Sequence, residues 1–140
     1  MKVFLCASRS SYHRVAEVRA GLERRGHVVT LPNNFDDPGR EDHVKTSGTP
    51  AFAAWKAEVL ELQAEKVATN DAILVLNFDK SDQRNYLGGA TFLEVFKAWE
   101  LRKVIYFFNA LPEGILRDEL EAMRPIVIEG DLDKVEAAAP

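Results

Sequence analysis

The strongest chemical signal in the sequence is the segment Gly88-Gly89-Ala90-Thr91-Phe92-Leu93-Glu94. Two adjacent glycines let a ligand approach the backbone closely, and a helix that starts behind them offers free N–H groups and the positive end of its dipole. Glu94 is the only charged side chain between Arg84 and Lys97. The dipole favours an ionised carboxylate that could act as a nucleophile, whereas the apolar neighbours raise its pKa by desolvation. The sequence leaves open which effect is larger.

A structural interpretation of the same segment stays open beside the catalytic one. Thr91-x-x-Glu94 is also the pattern of a capping box, in which Thr91 caps the helix and Glu94 reaches back to the backbone. The double glycine, and the position directly after a predicted central strand, favour a functional site.

A second polar cluster, Ser8-Arg9-Ser10-Ser11, follows the first predicted strand and precedes a predicted helix. Hydroxyl groups, an arginine and a helix N-terminus together suit a phosphate group. The cluster lacks the glycines of a dinucleotide fingerprint, and a plain helix-capping role is the alternative. Tyr12 beside it could stack on a base or pack as an ordinary aromatic side chain.

Further polar candidates flank the most apolar strand of the chain. Asp71 opens that strand, and a turn residue is the simpler interpretation of an aspartate there. Asn77, Asp79, Asp82 and Asn85 follow the strand, on the side where parallel sheets bind their ligands. Each of these four is equally compatible with a solvated loop.

Metal and cysteine chemistry have weak support in the sequence. His13 and Glu17 lie four residues apart on one predicted helix face, and His43 follows two acidic residues, but neither group has a convincing third ligand. Cys6 lies in a predicted core strand, where a thiol is usually inert. Neither a metal nor an organic cofactor is predicted.

Short apolar segments that alternate with longer amphipathic ones must position these residues. The segment from Asn33 to Pro50 is polar, contains two glycines and two prolines, and is predicted as an irregular excursion over one edge of the domain. Strands are predicted at Lys2–Ala7, Val28–Leu31, Asp71–Leu76, Lys103–Phe108 and Ile126–Ile128, and helices at Tyr12–Arg25, Ala51–Thr69, Thr91–Leu101 and Leu116–Met123.

This alternation predicts a single α/β domain, residues 1–140, with a doubly wound, parallel, five-stranded sheet. The continuous apolar segment from Asp71 to Leu76 is typical of a strand at the centre of such a sheet. Ligands of these sheets bind at the carboxyl ends of the strands. The loops at Ser8–Ser11, Asn77–Gly89 and Asn109–Gly114 are therefore the expected binding region.

Composition excludes several classes of protein. The chain has 140 residues, 46% of them hydrophobic and 29% charged, with a formal net charge of −4, which is an ordinary globular balance. A strongly basic surface for nucleic-acid polymers is not expected, and no apolar segment approaches the roughly 20 residues of a membrane helix. A single cysteine excludes an internal disulfide framework, so the cytoplasm is the expected compartment.

Two motifs give the chain a resemblance to a known family. With Thr69-Asn70-Asp71 at the central strand and Thr91-x-x-Glu94-x-x-x-Ala98 on the next helix, it resembles the nucleoside 2-deoxyribosyltransferase superfamily, most of all its small nucleoside or nucleotide N-glycosidase-like members. The resemblance implies a flavodoxin-like (Rossmann-like) fold. It further implies that Glu94 attacks the anomeric carbon and that Asp71 assists at the base or sugar.

The resemblance also bears on the substrate and on assembly. In phosphate-specific members, loop serines bind the 5′-phosphate, a role that maps onto Ser8, Ser10 and Ser11, with Arg9 beside them. Transferase members have an aspartate where this chain has Gly88, and Asn85 or Asp82 is the candidate replacement. Family members are commonly dimers or larger homo-oligomers in which a neighbour completes the pocket.

A weaker resemblance links Gly88-Gly89-x-Thr91-x-x-Glu94 to the cytokinin-activating phosphoribohydrolases, whose signature is one residue longer. Those enzymes also cleave base–ribose bonds of nucleoside monophosphates.

The sequence thus predicts an enzyme that cleaves the N-glycosidic bond of a nucleoside or its 5′-monophosphate, by hydrolysis or base exchange. Glu94 would be the nucleophile and Asp71 the acid near the leaving base. A non-catalytic nucleotide-binding module and a structural or regulatory partner are the alternatives. The predicted substrate contacts are Ser8, Arg9, Ser10, Ser11, Tyr12, Asn77, Asn85, Gly88, Gly89 and Thr91.

Overall fold

The five predicted strands form one parallel sheet in a computed structural model that describes residues 1–137. The order β2-β1-β3-β4-β5 is the flavodoxin-like order of a doubly wound sheet, which confirms the predicted fold class. The strands are β1 Lys2–Cys6, β2 Val28–Thr30, β3 Ala72–Val75, β4 Val104–Phe107 and β5 Ile126–Val127.

Five α-helices connect and cover these strands. They are α1 Val15–Arg24, α2 Arg40–Lys45, α3 Thr49–Ala68, α4 Gly89–Glu100 and α5 Arg117–Ala122, with 3-10 turns at Arg9–Arg14 and Leu132–Lys134. The helix predicted from Tyr12 therefore begins as a 3-10 turn and becomes α-helical at Val15. The prediction that Asn33 to Pro50 is irregular was wrong, because this segment contains α2 and the start of α3.

Strand β3 lies at the centre of the sheet, and all four of its residues are buried. Its neighbours in the sheet are β1 and β4. Ala72 lies opposite Val3 of β1 on one side and opposite Val104 of β4 on the other. Alternate side chains of the strands pack into two apolar layers on opposite faces of the sheet. This burial on both faces explains why the strand is a continuous apolar segment in the sequence.

The parallel strands direct all their carboxyl ends to one edge of the sheet, where the loops after β1, β2 and β3 meet. No helix among residues 1–137 is long and apolar enough to cross a membrane. The cytoplasmic location stays a prediction, and the last three residues of the predicted domain lie outside the described residues.

Candidate active site

A cavity of about 510 Å³ opens at the carboxyl ends of β1, β2 and β3. Three segments of sequence predicted to bind ligand contribute to its wall: the loop after β1, the turn before α4, and α4 itself. The predicted residues that line it are Ser8, Arg9, Ser10, Tyr12, Gly88, Gly89, Thr91 and Glu94. The fold therefore brings together the two sequence clusters that are 80 residues apart.

Asp71 lies outside this cavity. Its Oδ2 accepts a hydrogen bond of 2.8 Å from the backbone N–H of Lys2, and its own N–H donates to the Lys2 carbonyl at 2.9 Å. These bonds hold the starts of β1 and β3 together, at the edge of the sheet opposite the cavity. Asp71 therefore lies at the amino end of β3, as its position in the sequence indicates, and does not contribute to the cavity.

Three other predicted contacts are also absent from the cavity wall. Asn77 is fully buried. Its Nδ2 donates to the carbonyls of Asn109 and Ala110, and its Oδ1 accepts a hydrogen bond of 2.9 Å from the Asn109 N–H. The Asn77 amide therefore connects the loop after β3 to the loop after β4. Ser11 is buried in the 3-10 turn. The N–H of Asn85 donates to the Asp79 carboxylate within the loop after β3.

Glu94 is buried in the cavity wall, with only 8% of its surface exposed. Helix α4 starts at Gly89, and the capping position is Gly88, which makes no side-chain capping bond. The capping-box interpretation was therefore wrong, because Thr91 already lies inside the helix. Glu94 is in the second turn rather than the first, so the favourable field of the helix terminus acts on it weakly.

Desolvation is the dominant influence on the Glu94 carboxyl. Burial raises its pKa to about 8, against the opposing effects of a hydrogen bond with the Cys6 thiol and of the positive charges of Lys66 and Lys56. The neutral form of Glu94 is therefore favoured at pH 7. The question that the sequence left open, dipole or desolvation, is decided in favour of desolvation.

Two lysines of α3 place positive charge near this carboxyl. The Nζ of Lys66 donates to the Leu31 carbonyl at 2.9 Å, and burial lowers its pKa while Glu94 raises it. Lys56 lines the cavity and pairs with Glu41 of α2 at 3.1 Å. Both cations favour the ionised form of Glu94 and so limit the rise in its pKa.

The turn before α4 gathers hydroxyl groups around Gly88. A Cβ at this glycine would lie 3.2 Å from the Tyr86 hydroxyl and 3.3 Å from the Ser8 Oγ. The Ser8 side chain makes no capping bond to the turn that follows it, so the structure does not support the capping alternative for Ser8. Lys80 lies close by, its Nζ 4.6 Å from the centre of the Tyr86 ring.

Arg9 has a structural partner at the rim of the cavity. Its Nη1 donates to Asp42 of α2 at 2.9 Å and to the Pro38 carbonyl at 3.3 Å. Together with the Lys56–Glu41 pair, these contacts hold α2 and the segment before it beside the cavity mouth.

Comparison with solved structures supports the same architecture. The CMP N-glycosidase BcmB of Clostridium botulinum matches 98% of this chain and 100% of its own, with a TM-score of 0.58 and 14% sequence identity. The two proteins share a fold. No protein-family model and no curated protein matches the sequence. At this identity the likeness to the N-glycosidase extends to the architecture alone, and the chemistry of the cavity must come from its own side chains.

Sequence reasoning missed the contribution of α3 and of the loop after β2, and within the predicted loop after β3 it missed Lys80 and Tyr86. Trp55, Val59 and Gln63 recur every four residues along one face of α3, a spacing that is visible in the sequence but equally typical of a core-facing helix. Other lining residues that were not predicted include Asn33, Asn34, Glu41, Lys80 and Tyr86. Within residues 1–137, His, Cys, Asp and Glu side chains form no group of three or more that could hold a metal ion.

Proposed function

We propose that this protein cleaves the N-glycosidic bond of a nucleoside or nucleoside 5′-monophosphate, with Glu94 as the nucleophile. The observation that supports this most directly is a buried carboxyl in the wall of a cavity at the ligand-binding edge of the sheet. The fold shared with an N-glycosidase and the Thr91-x-x-Glu94-x-x-x-Ala98 motif are consistent with it.

In the proposed reaction, a carboxylate oxygen of Glu94 bonds to the anomeric carbon as the bond from that carbon to the base nitrogen breaks. The transition state resembles an oxocarbenium ion, and the product is a glycosyl ester of Glu94. The base leaves with the electron pair of the broken bond and takes up a proton from solvent. Water then attacks the ester to release the sugar, or a second base accepts it. Asp71 lies at the opposite edge of the sheet from the cavity, so it takes no part in this reaction.

The surroundings of Gly88 suit the 5′-phosphate of a nucleotide. Helix α4 presents its N-terminus to the cavity and has no acidic residue in its first turn, which favours an anion there. The hydroxyls of Ser8 and Tyr86 converge on Gly88, and Lys80 supplies a cation. We infer that a nucleotide places its phosphate at this end of the cavity.

The experiment that tests the proposed function is base release. Purified protein is incubated with ribo- and deoxyribonucleosides and their 5′-monophosphates, and free bases are separated by chromatography. We expect base release from at least one substrate, and faster release from the nucleotide than from the matching nucleoside. Binding of nucleotides without release of a base, even when a second base is added as acceptor, would instead establish a binding module.

The pH profile of turnover distinguishes a nucleophilic role of Glu94 from an acid role. Since only the carboxylate attacks carbon, kcat/KM is expected to rise with pH until about 8 and then level off. A general acid would give the opposite profile, with activity falling above about 8. The profile is measured with a nucleoside as well as a nucleotide, because the phosphate itself ionises near pH 6.

We also infer that a second copy of the chain covers the outer face of α3 and α4. Leu62, Leu93, Phe96 and Trp99 are 44% to 48% exposed there, and the rings of Phe96 and Trp99 lie 5.8 Å apart. Apolar patches of this kind mark interfaces, and a two-fold interface joins the same patch on both subunits.

Sedimentation is expected to show a dimer, and Phe96→Lys is expected to convert it to a monomer, because the substitution places a charge in an apolar interface. The matched control is Ile115→Lys, since Ile115 is 95% exposed and belongs to neither α3 nor α4. A dimer that survives Phe96→Lys would contradict this placement of the interface.

A further inference from the structure

Asn33, in the loop after β2, lines the cavity and has an unpaired side-chain oxygen. Its Oδ1 is shielded from solvent and has no hydrogen-bond partner, which is true of no other side-chain nitrogen or oxygen in the described residues. Buried polar atoms are nearly always paired, because an unpaired one retains the full cost of its desolvation. Since Asn33 also lines the cavity, a bound molecule is the natural source of the missing donor.

The orientation of the Asn33 amide is fixed by its neighbours. Its Nδ2 donates to the Val59 carbonyl at 3.1 Å, and its backbone carbonyl accepts a bond of 2.7 Å from the Tyr12 hydroxyl. A flipped amide would place Oδ1 against the Val59 oxygen, which is repulsive. The unpaired Oδ1 can therefore only accept a hydrogen bond from a ligand.

Asn33 and the proposed phosphate position belong to different loops of the cavity wall. Asn33 follows β2, the turn at Gly88 follows β3, and β1 lies between these strands. Strand β1 ends at Cys6, whose thiol is close enough to Glu94 to lower the pKa of that carboxyl, and Glu94 lines the same cavity as Asn33.

We propose that Asn33 selects nucleotides whose base carries an exocyclic amino group, by accepting a hydrogen bond from that group through Oδ1. This inference rests on the proposed function. Because Oδ1 is shielded from solvent, the segment after β2 must adjust around the base for the bond to form. Cytosine and adenine present an N–H donor at the edge away from the sugar, where uracil and hypoxanthine present an oxygen. An oxygen there would face Oδ1 without a shared proton, and such a mismatch is strongly discriminated in a buried site.

The test is the ratio of kcat/KM values for CMP over UMP and for AMP over IMP. We expect at least one of these ratios to exceed about ten in the natural protein. Asn33→Ala and Asn33→Leu are expected to bring it within about threefold of one. Both rates of a ratio are measured on the same variant, so a general loss of folded protein does not alter the ratio.

Asn70→Ala is the matched control. Asn70 is also a buried amide, but its Nδ2 donates to the Lys66 carbonyl at 2.7 Å and its Oδ1 accepts from Thr30 at 3.3 Å. It does not line the cavity, so its truncation is expected to leave the ratio unchanged.

Two results would overturn the inference: equal rates for the amino and oxo members of both pairs in the natural protein, or a ratio that Asn33→Ala leaves intact. If no nucleotide is hydrolysed, the proposed function fails, and the selection by Asn33 is then measured as the ratio of dissociation constants for the same pairs by calorimetry. The two failures are thereby distinguished.

Discussion

Glu94→Gln is expected to lower kcat/KM for base release by about a thousandfold or more. Glutamine preserves the size of the side chain, but its amide cannot form the glycosyl ester on which the proposed reaction depends. The dissociation constant of a nucleotide is expected to stay within about threefold, since the substitution leaves the phosphate and base ends of the cavity intact. Chromatographic assay of base release, together with calorimetric titration of the nucleotide, measures both quantities.

The matched control for this experiment is Glu61→Gln. Glu61 is an exposed glutamate on α3 and does not line the cavity. The turnover of the Glu61→Gln protein is therefore expected to equal that of the natural protein. A Glu94→Gln protein with less than a tenfold loss of turnover would exclude Glu94 as the nucleophile, even if base release itself were observed.

The same substitution is expected to stabilise the folded protein at neutral and alkaline pH. The pKa of Glu94 rises from an ordinary value of 4.5 to about 8 on folding, so between these two values the folded protein binds one more proton than the unfolded chain. The stability contributed by this group is therefore complete at low pH and is lost as the pH rises towards 8. The Glu94→Gln protein does not lose this stability at higher pH, because glutamine does not ionise.

The expected difference in the free energy of unfolding is on the order of 5 kcal/mol above pH 8, or roughly 15 °C in Tm. Thermal unfolding of both proteins from pH 5 to pH 9 measures it. The gap in Tm should be small at pH 5, widen to about pH 8 and then stay constant. A gap that is independent of pH would show that burial does not hold the Glu94 carboxyl in its neutral form, and Glu61→Gln provides the baseline.

The architecture could be predicted from the sequence because the strongest signals are those that packing requires. The apolar segment around β3 is continuous since that strand is buried on both faces. Gly88 and Gly89 mark the start of α4 because the backbone there lines a cavity. For the same reasons the sequence located Glu94 correctly in the cavity wall.

Helix α2 was missed because its stabilisation comes from elsewhere in the chain. Only Val44 among its six residues is buried, so it lacks the apolar periodicity of a packed helix. The buried Val44 and ion pairs with Arg9 and Lys56 connect it to the rest of the chain, and the sequence gives no indication of pairs between residues so far apart. Asn77 was predicted as a ligand contact for a related reason, because an amide that ties two loops together has the same sequence pattern as one that binds a substrate.

The chemical reactivity of Cys6 can report local opening of the protein around the cavity. It is the only cysteine in the chain, it is fully buried, and its thiol is close enough to Glu94 to influence the pKa of that carboxyl. Burial also raises the pKa of this thiol well above its ordinary value, so it reacts with a thiol reagent only in molecules that have opened locally or unfolded. The rate of Cys6 labelling therefore measures how often the region around Glu94 opens, and a ligand that binds the closed cavity slows that rate in proportion to its occupancy.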